Sequence, residues 1–111
     1  MTSDKDLLKS AAKAVGLQLI PYTWNEGTGF DHEGYRIAGD PSGEEWNPLG
    51  DEAQALRMAI ELRMSVHVFS MQSGAFIPGS DVHCVSHIEL NAVQATCRAI
   101  VLAAAQRGGS A

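Results

Sequence analysis

Apolar positions near the start recur at helical spacing: Leu7, Leu8, Ala11, Ala12 and Val15. This predicts a helix from about Ser3 to Val15. Ser3 caps it, Asp4 and Asp6 suit its positive end, and Gly16 supplies a left-handed stop. The rows Leu7/Ala11 and Leu8/Ala12/Val15 are expected to lie on a sheet. From Leu17 to Trp24 the content turns β-branched and aromatic, an extended segment in which Pro21 marks an edge or a bulge. A turn over Asn25-Glu26-Gly27-Thr28-Gly29 and a returning strand over Gly34 to Ala38 complete a hairpin.

Gly39 to Gly50 reads as a loop. Asp51 and Gln54 then stand as a capping box before a second helix. Its expected buried face is Ala55, Leu56, Ala59, Ile60 and Leu62 or Met64. Gln54, Arg57 and Glu61 are expected outward, with Arg63 at the negative end. Ser65 to Ser70 alternates, with Val66 and Val68 on one face and His67 and Phe69 on the other. Gly74 to Gly79 is expected to turn, and Asp81 to His87 to form a fourth, poorly patterned strand. Asn91 and Gln94 make a second capping box, before a helix ending near Gln106.

The order α-β-β-α-β-β-α predicts an α+β fold, a four-stranded, mostly antiparallel sheet sandwiched between helices. The 111 residues fit one domain, 1–111, with 1–4 and 107–111 frayed. The final helix is apolar nearly all round. Val93, Cys97, Ile100, Val101 and Ala104 share one face, while Ala95, Ala99, Leu102 and Ala103 lie elsewhere. One layer of strands cannot cover that circumference, so Ala95, Ala99, Leu102 and Ala103 are expected to meet a second copy in a homo-oligomer, as a dimer.

Charge narrows the partners. The net charge is −5, from 8 basic and 13 acidic residues. A nucleic-acid backbone or an anionic membrane needs clustered Lys and Arg, so neither is an expected partner. Between Glu26 and Glu52 stand eight acids against Arg36 alone, while Lys5, Lys9 and Lys13 form a row at i, i+4, i+8. Solvated faces account for both, docking of opposite charges being the alternative. The start, MTSDKDLLKS, lacks a signal peptide's apolar run, and no apolar stretch approaches 18 residues. With only Cys84 and Cys97 and no disulfide framework, a cytoplasmic, reduced protein is expected.

Trp46-Asn47-Pro48-Leu49, followed by Asp51-Glu52-Ala53-Gln54-Ala55-Leu56-Arg57-Met58-Ala59, resembles the signature of the phage ABA-sandwich family. Ala95-Thr96-Cys97-Arg98-Ala99-Ile100-Val101 is similar to that family's final helix. The resemblance runs from the first helix to about Arg107. It implies a sheet sandwiched between helices and a phage or prophage origin. It implies no reaction.

The candidate chemistry is sparse. His83, Cys84 and His87 carry the most metal-like side chains, with His67 and His32 as the other histidines. In a strand, His83 and His87 share a face but sit about 13 Å apart. Cys84 with His67 or His87 has the composition of a nucleophile and base, without a G-x-S-x-G elbow or a local cysteine-protease signature. Within Asp31-His32-Glu33 only Asp31 and Glu33 can converge. No glycine pattern cradles a phosphate, and no cofactor is called for. In the Trp46 to Leu49 turn, Pro48 biases Asn47 to extended backbone, and Trp46 and Leu49 anchor the loop ahead of the second helix.

Three functions remain. The first is a non-enzymatic accessory protein that binds another protein, with Trp46, Asn47, Pro48 and Arg57 as contact residues and inhibition of a host system as its effect. The second is a small-molecule or metal-binding module using His67, His83, Cys84 and His87, conceivably an enzyme. An acidic mimic of nucleic acid comes third.

Overall fold

The computed structural model describes residues 3–25, 27 and 31–109. Most of the hairpin tip (Glu26, Thr28, Gly29), Phe30 and residues 1–2 and 110–111 lie outside the described residues. The fold is α+β. Among the described residues its elements are α1 (Asp4–Ala14), β1 (Leu19–Asn25), β2 (Asp31–Ile37), α2 (Glu52–Glu61), β3 (Ser65–Val68), β4 (Gln72–Phe76), β5 (His83–Ser86) and α3 (Ala92–Gly109).

The single four-stranded sheet is replaced by two small antiparallel sheets, β1–β2 and β3–β4–β5. Part of the segment expected to turn, Gly74 to Phe76, belongs instead to β4. Its sequence, Gln-Ser-Gly-Ala-Phe, lacks β-branched residues, so it gives no strand signal. Small size is what the position needs. Ser73 and Ala75 lie fully buried under α3, while a β-carbon on Gly74 would already touch Cys84 Sγ at 3.4 Å.

The layers are inverted as well. α1 lies between α3 on one side and the β1–β2 hairpin on the other. Ser10 and Ala14 abut Gly108 of α3, and Asp4 Oδ1 pairs with Arg98 at 3.1 Å, so the two helices run side by side in the same direction. On the opposite side of α1, Lys5 bonds Glu33, and Ala12 shares a cleft with Leu19 and Tyr35. Leu7/Ala11 and Leu8/Ala12 are therefore all buried, but against two different neighbours. Arg107 to Gly109, expected to fray, continue α3.

The N-cap half of each expected capping box forms, while the Gln54 side chain turns to the preceding loop and the Asp51 N–H donates to Asn47 O. Asp51 Oδ1 accepts from the Gln54 N–H, and Asn91 Oδ1 from the Gln94 N–H. The buried side of α2 is Ala55, Met58 and Ala59. Leu56 and Ile60, assigned to the core by spacing, are exposed at 59% and 66%. The C-terminal ends of α1 and α2 close with the same pair of backbone bonds. At α1 the Leu17 N–H donates to Ala12 and Gly16 to Lys13, and at α2 Met64 donates to Ala59 and Arg63 to Ile60.

α3 is covered without a second copy. α1, α2 and the three-stranded sheet surround it, burying Ala95, Ala99 and Ala103 inside the chain and leaving Leu102 half-buried. Ala95, Ala99 and Ala103, expected at a contact between copies, are therefore withheld from one, because α1 and α2 share with the sheet the covering of α3.

Candidate functional site: an open strand edge

The histidine–cysteine cluster is not brought together. His83 Nε2 bonds Gln106 Oε1 at 2.5 Å on the α3 side of the sheet. Cys84, the next residue in β5, points to the other face, beside Gly74. His87 Nε2 bonds Ser73 Oγ at 2.8 Å. His67 lies on the outer face, its ring 6.0 Å from that of Phe69 and 5.9 Å from that of Phe76. Among the described residues no group of three His, Cys, Asp or Glu side chains is placed to hold a metal ion. Asp31 and His32 fall in β2, and their side chains lie outside the described residues.

Ser73 and His87 resemble a nucleophile and its base, but the proton order runs the wrong way. Thr96 Oγ1 donates its one proton to the Ala92 carbonyl at 2.7 Å. The 2.8 Å contact between Thr96 and Ser73 must then use the Ser73 proton. Ser73 Oγ is left to accept from His87 Nε2–H. The imidazole donates rather than removes a proton, and Ser73 is fully buried. The triad ties β4 and His87 to α3.

The Trp46 to Leu49 turn is the expected anchor. Trp46 and Pro48 are buried, and the Trp46 N–H donates to Tyr35 O at 2.7 Å. Gln54, expected outward, clamps the turn: its Oε1 accepts from the Asn47 N–H at 2.6 Å and its Nε2 donates to Glu45 O at 2.9 Å. Trp46 and Pro48 therefore offer no contact surface. Arg57 is exposed beside Asp40, Glu44 and Glu61. Asn47 instead lines a cleft of about 490 Å³ between α1 and the hairpin, together with Leu8, Tyr22, Tyr35 and Glu45. Its Oδ1 is buried without a hydrogen-bond partner among the described residues. Burial pushes the Tyr22 phenol up, Glu45 adding to the shift and Arg36 opposing it. The hydrogen bond to Glu33, and then its charge, holds the Lys5 ammonium above its ordinary value.

The sheet edges differ in how they are guarded. Ala38 N–H bonds Gln18 O, so by alternation Leu19, Pro21 and Thr23 turn their backbone groups away from β2. Pro21 has no N–H to offer there, which blunts that edge. The outer edge of β2 is occupied by Trp46 on Tyr35 and by a bridge between Arg36 and Glu45.

β3 has no such guard. The Phe69 N–H bonds Gln72 O at 2.8 Å, closing the β3–β4 turn. Alternation then directs Ser65 and His67 toward β4, and the N–H and C=O of Val66 and Val68 toward the open edge. The strand holds no proline and no ionised carboxylate, ammonium or guanidinium. Val66, Val68, Phe69 and Met71 are all exposed beside it. Exposed apolar side chains next to unpaired backbone groups form a template for another strand. The sequence carried one cue, the clean alternation of Ser65 to Phe69. Which edge stays open is a property of the pairing.

Compared with known protein families, with curated proteins and with solved structures, the chain gives no match in any of the three. Among the described residues no helix is long and apolar enough to cross a membrane.

Proposed function

We propose that this chain is a non-enzymatic protein-binding module that recognises its partner by adding a strand to β3. The observation that carries this is the pair Val66 and Val68, whose backbone groups face outward on a strand without carboxylate, ammonium, guanidinium or proline. Strand addition draws affinity from main-chain hydrogen bonds and specificity from alternate side chains. The resemblance at Trp46-Asn47-Pro48-Leu49 and along α2 supports a phage or prophage accessory role, with a host protein among the partners. The two free cysteines suit the reducing cytoplasm of a host cell.

The test uses short uncharged peptides of alternating Val and Thr, titrated into labelled protein and followed by amide chemical shifts. Shifts centred on Ser65 to Val68, lost on Val68→Pro, are expected. Peptides that perturb other residues, or bind Val68→Pro equally well, contradict the reading.

A second reading rests on Asn47. A cleft of about 490 Å³ has the size of a small-molecule site, and the unpartnered Asn47 Oδ1 beside it calls for a hydrogen-bond donor. A fragment screen, with Asn47→Ala as control, tests it. Hits that ignore the substitution count against it.

A further inference from the structure

We infer that the strand added to β3 is β3 of a second copy, in an antiparallel pair centred on His67. This rests on the strand-addition reading and names its partner. A strand that fits the open edge must meet three conditions set by the residues around it.

The first is hydrogen bonding. Val66 and Val68 each present an N–H and a C=O two residues apart, so the partner needs the same pair at the same spacing. An antiparallel copy provides it. Val66 of one chain exchanges both bonds with Val68 of the other, and Val68 with Val66, while the two His67 residues meet on the dyad as a non-hydrogen-bonded pair.

The second condition is charge. Val66 and Val68 face the same side as Ala75 and Ser73, and Val68 lines a groove with Glu52, Ala92, Val93, Thr96 and Cys97. An acidic strand would be repelled by the Glu52 carboxylate that lines the same groove. β3 brings no ionised carboxylate, ammonium or guanidinium.

The third is what lies beneath the missing strand. Glu52 lines the same groove, and helical spacing puts Leu56 and Ile60 on its stripe of α2. Both are exposed, at 59% and 66%, although they are among the largest apolar groups on that helix. A strand beyond β3 would carry Val66 and Val68 of the second copy out over that stripe. The result is one continuous six-stranded sheet, β5–β4–β3 joined to its symmetry mate, with Leu56 and Ile60 beneath the join.

Cysteine trapping tests the register. In a non-hydrogen-bonded antiparallel pair the Cα atoms are about 4.5 Å apart, within disulfide range. His67→Cys, made with Cys84→Ser, is expected to cross-link into a dimer under mild oxidant, and Val85→Cys in the same background is not. Light scattering of the unmodified chain is expected to give twice the chain mass at high concentration. Val68→Pro removes one donor per copy without touching the β3–β4 ladder, and is expected to weaken the association roughly tenfold or more. A monomer at about 1 mM overturns the inference, and so does a dimer that cross-links at Val85 or ignores Val68→Pro. A monomer that still binds the strand peptides through β3 overturns only the identity of the partner. A monomer that ignores them removes both readings.

Discussion

A β-carbon placed on Gly108 would lie 1.9 Å from the backbone oxygen of Ser10 and 2.7 Å from the amide nitrogen of Ala14. The parallel pair α1 and α3 is thus set at a spacing that only glycine permits at this point. Both nearest atoms belong to helix backbone and cannot step aside. Gly108→Ala is expected to cost about 3 kcal/mol or more, at the upper end of overpacking. Urea unfolding measures it, and an unchanged midpoint contradicts the close approach.

Arg63 sits in the left-handed region, with φ 54°, where α1 uses Gly16 at φ 74°. The two helix ends make the same bonds, but Arg63 bears a β-carbon penalty that Gly16 does not. Arg63→Gly is expected to stabilise the protein by about 1 kcal/mol. A lowered melting temperature would show that the Arg63 side chain contributes more than its backbone costs.

Ser73→Ala strands two partners at once. His87 Nε2–H loses its acceptor and Thr96 Oγ1 loses a donor, both beside the β4–α3 seam. A loss of about 1–3 kcal/mol is expected. Ser70→Ala, at an exposed turn residue, should stay within about 0.5 kcal/mol. Equal effects would mean the Ser73 network contributes nothing.

The helices were largely legible in the sequence, because caps and periodicity are local. Ser3, Asp51 and Asn91 each cap as their spacing predicts. The sheet arrangement was not. β4 is built of Ser73, Gly74 and Ala75, whose value lies in being small under α3 and beside Cys84, and smallness has no period. Likewise Leu56 and Ile60 obey the helical spacing of a core, yet Met58 occupies the buried side. α2 is amphipathic in both directions, and only tertiary contact selects between them. The Trp46 anchor was readable from Pro48 and the aromatic residue, whereas its clamp, Gln54, has the spacing of a capping-box residue but spends its side chain on Asn47 and Glu45, which no local pattern signals.

The two thiols should behave differently. Cys84 is exposed and Cys97 buried, so one equivalent of a thiol reagent is expected to react in the native protein and the second only on unfolding. Burial, with the Glu52 and Asp51 charges adding, raises the folded Cys97 thiol above its ordinary 9.0. Its contribution to stability is full below the unfolded value and is lost as pH rises through the folded one. Cys97→Ala should flatten that alkaline decline in a pH series of unfolding midpoints. An identical slope would assign the decline to other groups.

Residue-resolved amide exchange at increasing protein concentration reads the β3 edge itself. His67 and Phe69 bond to β4, so their amides are expected to exchange slowly at every concentration. Val66 and Val68 are expected to exchange fast when dilute and to become protected as copies associate. Fast exchange of Val66 and Val68 at the highest concentration, or protection already present in the dilute monomer, would contradict an open edge that closes on its own copy.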